Sequence, residues 1–303
     1  MHDALLPDGF TRDVSDFASG TTLNIKSVGA VTLQDVSEDV PMASTAIDTD
    51  TVTMTISNYP GDRWHITDEL RQDGAQIEQL HAMRGVESTR ALGEYFETQM
   101  LSTCNSAQTA ANVNLVNGRP HRWVAGGSGG TSRNMTMADI VALKLSADKA
   151  KAPQAGRVFI VDPIVEATLN SLTNITNVSN NPMFEGIVTS GFAKDHKFIT
   201  NIYGWDIWTS NYLPSITAQE ATDASSYSLA NDTAEVDDKV NVAMCIADDS
   251  CKPIMRAWRK MPSVETDRNM DLRRDEFQVT SRLGFGAQRE DTLFTIITDD
   301  ATY

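Results

Sequence analysis

Apolar and polar residues alternate strictly over Thr51-Val52-Thr53-Met54-Thr55-Ile56-Ser57, the signature of a strand with one apolar and one solvated face. Leu23, Ile25 and Val28 begin an earlier strand, and Val31, Leu33 and Val36 continue it. Glu38-Asp39 with Pro41 marks a tip or crossing between the two. Asn58-Tyr59-Pro60-Gly61-Asp62 has the chemistry of a turn, after which Trp64 and Ile66 resume. From Thr67 to Thr103 the period becomes helical, with Leu70, Ile77, Leu80, Met83, Leu92, Phe96 and Met100 at the apolar positions. Thr67 or Asp68 supplies the N-cap, and Asp68 and Glu69 suit the first turn. Gly74, Gly85 and Gly93 weaken the run, and a break is expected near Gly74, with a long helix from about Ala75. A strand pair followed by a solitary helix buries little by itself, so its expected partners are other copies of the chain.

The remaining pattern is mixed. Residues 1–20 read as an arm in which Asp3, Asp8, Asp13 and Asp16 alternate with Phe10, Val14 and Phe17. Residues 104–135 are polar and turn-rich, a candidate subdomain boundary. A helix is predicted from the cap Thr136, then a buried strand over Arg157–Val161, then a helix opened by Asp162 and Pro163. An Asn-rich loop (Asn174 to Asn181) precedes a β-rich block ending at Leu213-Pro214. Residues 219–238 look like an acidic surface excursion, and Val240–Ala247 like a strand. Cys251–Trp258 has helical spacing, and Phe277–Gly286 and Leu293–Thr298 read as closing strands. The order of elements is α+β and not a regular βαβ array.

Composition then narrows the function. The 303 residues are 41% hydrophobic and 22% charged, enough for a substantial core. A net charge of −16 excludes a surface that grips nucleic acid through phosphates, but not a wall that encloses it. No apolar run is long enough for a membrane span, no secretory signal is visible, and three cysteines (Cys104, Cys245, Cys251) make no disulfide framework. The histidines show no metal-ligand spacing, and no cofactor is expected. Gly126-Gly127-Ser128-Gly129-Gly130 matches the nucleophile-elbow pattern, but its flanks lack the required strand and helix, so it reads as a flexible loop. The basic stretch Lys252–Arg274 is interrupted by Glu265, Asp267 and Asp271, which favours ion pairs between chains over a DNA-facing patch. No constellation for catalysis emerges, and an enzyme is not expected.

Four features together resemble the major capsid protein of tailed bacteriophages, the Hong Kong 97-type fold. An arm precedes a long β-hairpin and a long helix, similar to the family's arm, E-loop and spine helix. Ala152-Pro153-Gln154-Ala155-Gly156-Arg157-Val158-Phe159-Ile160-Val161-Asp162-Pro163 is similar to a family phrase in which Pro and Gly-Arg precede a strand ending in Pro. Tyr203-Gly204-Trp205-Asp206-Ile207-Trp208-Thr209-Ser210-Asn211-Tyr212-Leu213-Pro214 resembles its Gly-aromatic strand. Arg282-Leu283-Gly284-Phe285-Gly286-Ala287-Gln288-Arg289-Glu290-Asp291 resembles its closing strand.

The resemblance implies an α+β capsid subunit with an arm (1–20), an E-loop (21–66), a P domain with the spine helix (67–135), an A domain (136–250) and a return to the P domain (251–303). It implies hexamers and pentamers of an icosahedral shell around double-stranded DNA, located in the virion and assembled in the host cytoplasm. Scaffolding, portal and decoration proteins are possible partners, and this chain has no room for a scaffolding region of its own. Val52, Met54 and Ile56 are expected to bury one face of the E-loop against a neighbour, with Trp64, Phe10, Phe17, Arg268, Arg273 and Arg274 as further contacts between subunits. Lys26 is the single lysine of the E-loop, and with no Asn partner assigned a crosslink is not expected. The alternatives are an encapsulin-like nanocompartment with the same fold and a serine hydrolase using Ser128.

Overall fold

The computed structural model describes residues 9–14, 20–28, 33–36, 38, 39, 41, 44, 46, 47, 49–74, 76–108, 115–126, 132–172, 201–223 and 234–299. In chain order the elements are β1 (Thr11–Asp13), β2 (Thr22–Val28), β3 (Thr49–Thr55), β4 (Gly61–Thr67), α1 (Asp68–Asp73), α2 (Ile77–Ser106), β5 (Leu115–Val116), β6 (Arg119–Pro120) and β7 (Arg122–Val124). They continue with α3 (Met137–Lys149), β8 (Arg157–Val161), α4 (Pro163–Ser171), β9 (Asn201–Ile202), β10 (Trp205–Thr209), a short helix Ala218–Asp223, β11 (Lys239–Cys245), β12 (Ile254–Asn269), β13 (Arg274–Ala287) and β14 (Leu293–Thr298).

Two sheets organise these elements. One is six-stranded, in the order β7-β14-β11-β8-β10-β9. Its central strands are apolar at every position because both faces are covered. Phe159, Val161, Ala243 and Phe294 pack with Ile140, Leu143 and Leu169 of α3 and α4. Val158, Ile160, Val242 and Met244, on the opposite face, pack with Met100, Leu101 and Cys104 at the end of α2. The second sheet is four-stranded, in the order β1-β12-β13-β4, and Val279 and Leu283 of β13 receive Leu92 and Phe96 of α2. One 30-residue helix, about 45 Å long, therefore serves both cores.

The predicted helix break falls at Gly74, while Gly85 and Gly93 continue in α2. The expected strand pair forms as β2 and β3, antiparallel from Thr22↔Thr55 to Val28↔Thr49. Thr136 and Asp139 form a capping box on α3, and Asp162 accepts from the Ile164 amide with Pro163 in the first turn of α4.

Several expectations fail for identifiable reasons. Asn58–Asp62 is not a tight turn. It stays extended along β13, with Asn58 and Leu283 exchanging both backbone hydrogen bonds (3.2 and 3.1 Å) and Ser281 donating to Pro60 O at 3.1 Å. Cys251–Trp258 is not helical. Ile254–Ala257 are buried on both faces between β1 and β13, so the period of two is hidden there. Residues 122–124 are not part of an irregular passage. They form a fully buried strand beside β14 in the six-stranded sheet. That sheet therefore takes strands from outside residues 136–250. Leu33–Val36 lie outside any strand, and Val31, Phe17, Ser128 and Asn174–Asn181 lie outside the described residues.

Candidate functional site

For a chain without a catalytic constellation, the sites to examine are the surfaces left after its own packing. The β2–β3 hairpin docks through its base. Met54 and Ile56 are 1% and 3% exposed and pack on Met255 and Ala257, with Leu23, Ile25, Val52 and Val14 partly buried around them. The expectation that Met54 and Ile56 wait for a neighbour is thus corrected: β12 of the same chain covers them. Gly284 makes this docking possible, since a Cβ there would lie 2.8 Å from Ile56 Cα and from Thr55 O. Farther along the hairpin nothing in the chain covers Leu33, Val36 and Ile47, which are 95%, 68% and 78% exposed.

Phe10 is likewise covered internally, edge-on to Trp208 with centroids 5.7 Å apart. The arm is held beside β12 by Arg256, whose Nε donates to Asp13 Oδ1 at 2.7 Å, and by the Val14 amide, which donates to Arg256 O at 2.8 Å. Half-buried Trp64 donates from Nε1 to His81 Nδ1 at 3.1 Å and stacks on Phe277. Nearby, Arg84 spans both Asp62 oxygens at 2.8 Å. The Ser88 hydroxyl and Arg84 together hold the Asp62 carboxyl below the usual carboxylate range.

The basic residues forecast for neighbours are largely paired within the chain. Arg268 grips both Asp68 oxygens at 2.7 and 2.6 Å and Asp275 at 2.9 Å. Arg274 meets Glu276 at 2.7 Å. Arg273 is exposed, has φ +47°, and accepts the Asp68 amide on its carbonyl at 3.1 Å. Lys26 is exposed on β2.

Sequence reasoning missed a buried polar junction between α2 and the six-stranded sheet. The fully buried Arg122 guanidinium donates to Glu220 Oε1 at 2.9 Å and to Asn105 Oδ1 at 2.7 Å. Asn105 Nδ2 returns to Glu220 Oε1 at 3.0 Å, and Glu220 Oε2 accepts the Thr217 amide at 2.7 Å. The one available signal was an Arg flanked by His121 and Trp123. Beside it, buried His121 donates from Nδ1 to Leu293 O at 3.0 Å and stacks on Phe294. Burial holds its imidazole below the ordinary value of 6.5.

The unfolded chain therefore takes up the His121 proton first. This contribution to stability is complete above about pH 6.5 and is lost as pH falls below it. His121→Gln is expected to remove up to about one proton from the pH dependence of unfolding between roughly pH 7 and 5. Denaturant titrations across that range measure it, and an unchanged slope would rule His121 out. Burial also pushes the Cys104 thiol up to about 12, which leaves it unreactive.

Among the described residues, no group of three or more His, Cys, Asp or Glu is arranged to hold a metal, and no helix is long and apolar enough to cross a membrane. No curated protein sequence matches the chain. Solved structures do match. The capsid of cyanophage P-SCSP1u superposes with a TM-score of 0.72 at 15% identity, covering 99% of this chain and 90% of that one. The mature capsid of bacteriophage PhiM1 gives 0.71 at 14%, covering 99% and 88%. Mycobacterium phage Che8 gives 0.62 at 16%, covering 97% and 90%. At these identities the likeness shows the fold, an α+β capsid fold. A family model described as phage capsid protein matches residues 49–296, most of the chain, and the protein therefore belongs to the phage capsid protein family, as a structural and non-enzymatic component of the virion shell.

Proposed function

We propose that copies of this chain form the hexamers and pentamers of an icosahedral shell enclosing double-stranded DNA. The observation that carries this reading is the hairpin. It is tied to its own chain at the base while Leu33, Val36 and Ile47 stand exposed beyond it. Such residues call for cover, and in a closed assembly identical copies supply it through contacts repeated by symmetry. The net charge of −16 suits a wall that repels packaged DNA and does not bind it.

In this reading 1–20 is the arm, 21–66 the E-loop, 67–135 and 251–303 the P domain, and 136–250 the A domain. Val52, Trp64, Arg268, Arg273 and Arg274 keep enough exposure to meet neighbours as well as their own chain. Scaffolding, portal and decoration proteins are the further partners expected of such a shell.

Sedimentation and electron microscopy of the purified 33.2 kDa chain test the proposal. Capsomers or closed shells are expected. A well-behaved single subunit at all concentrations would sink the reading, and particles from infected cells that carry an enzyme cargo in place of DNA would convert it to a nanocompartment.

A further inference from the structure

The far end of the β12–β13 hairpin carries an apolar knob on a rigid mount. Met270 is 82% exposed and Leu272 55% exposed. Exposed apolar side chains on a turn need no explanation singly, but this turn is held from several sides. Arg268 clamps Asp68 of α1 and Asp275 of β13 at once, and Arg71 reaches Asp275 at 2.6 Å. Inside the turn, Asn269 Oδ1 accepts the Leu272 amide at 3.2 Å, and the Asp68 amide donates to Arg273 O at 3.1 Å. A mount fixed in this way loses little conformational entropy on docking.

The same region holds a receptor. A cleft of about 390 Å³ lies between α1 and the turn, lined by Thr67, Asp68, Glu69, Gln72, Leu272 and Arg273. We propose that this end of the P-domain hairpin docks on a second copy of the chain, with the Met270 knob of one copy entering the cleft of the next. The inference rests on the shell reading above and adds the surface through which copies meet.

Charge on the page selects a second copy as the occupant. Asp271 and Arg273 flank Leu272, and Glu69 lines the cleft, all of them exposed. A surface with both signs at its rim pairs with a rotated copy of itself, whereas nucleic acid demands a basic patch. Knob and cleft are different parts of one surface, so the contact is head-to-tail and repeats around an axis. The unbranched thioether of Met270 suits entry into an irregular cleft.

The test uses the full chain. Met270→Glu with Leu272→Glu is expected to leave circular dichroism and the unfolding midpoint unchanged while raising the concentration needed for assembly about tenfold or more. Arg273→Asp alone is expected to impair assembly, and Asp271→Arg with Arg273→Asp to restore it. Normal assembly of the double glutamate variant, in a wild type that itself assembles, overturns the docking proposal and leaves the shell reading standing. Failure of the charge swap to restore assembly in a folded variant overturns the pairing with a second copy. A wild-type chain that never assembles overturns both readings, because the knob then has no copy to meet.

Discussion

Arg122→Met is expected to lower the stability of the unassembled subunit by about 3–5 kcal/mol, the range for breaking a buried ion pair from one side. Arg122 is the only positive group in contact with Glu220 in the described structure, and its side chain is 0% exposed. Removing it leaves the Glu220 carboxylate and Asn105 Oδ1 facing an apolar side chain where two charge-assisted hydrogen bonds stood. The consequence is not local. Asn105 lies in the last turn of α2, Arg122 on β7, and Glu220 on the helix Ala218–Asp223, so the cluster fixes where the long helix ends against the six-stranded sheet. For a chain of this size the loss corresponds to a fall in the unfolding midpoint of roughly 6–20 °C. Adding Glu220→Gln to Arg122→Met is expected to recover part of it. A glutamine keeps an acceptor for the Thr217 amide, offers a donor to Asn105 Oδ1, and removes the unpaired charge. Calorimetry on the three variants measures both effects, and strictly additive losses would show that the groups do not act as one cluster.

That cluster was illegible in the sequence for a physical reason. A buried Arg is stable only with partners, and its partners here lie 17 and 98 residues away. Local chemistry was much easier to read. Thr136, Asp162 and Pro163 act on amides within a few residues, and all three stand where their capping chemistry placed them. The strict alternation of Thr51–Ser57 correctly announced β3, because one face of that strand is solvated. β12 was missed because Ile254–Ala257 have no solvated face to mark the period.

The turn chemistry of Asn58–Asp62 was overridden by tertiary pairing with β13, which offers the same backbone groups a ladder. The E-loop candidates were half readable. Alternation identified the apolar face of Val52, Met54 and Ile56, but it could not say that Met255 and Ala257 of the same chain would cover it. Arg268 and Arg274 show the same limit. Their charge predicted ion pairs, and only the fold decided that Asp68, Asp275 and Glu276 of the same chain would take them.

Gly284→Val is expected to detach the hairpin base and abolish assembly. Two glycines of the Arg282–Asp291 phrase lie directly beneath the hairpin, but they differ in what a side chain would strike. At Gly284 a Cβ meets backbone, with Ile56 Cα and Thr55 O both at 2.8 Å, and neither atom can swing aside. At Gly286 the obstacles are Met54 Cγ at 2.9 Å and Met255 Cε at 3.1 Å, atoms of flexible side chains. Overpacking of this kind costs about 1–3 kcal/mol for a small insertion, so Gly284→Ala falls in that range and Gly286→Ala below it. Valine at 284 exceeds what the strand can absorb. The hairpin then lifts, Met54 and Ile56 lose their cover, and the hydrogen bonds that hold Asn58 to Leu283 are pulled apart. Core residues on the far side, such as Phe294 and Ile160, are untouched, so the subunit remains folded. Limited trypsin digestion reads the outcome at Lys26 on β2, which is expected to become cleavable in Gly284→Val and to stay protected in Gly286→Ala. Assembly should follow the same order, lost in the first variant and retained in the second. Equal behaviour of the two variants would refute the distinction between a backbone and a side-chain obstacle on which the prediction stands.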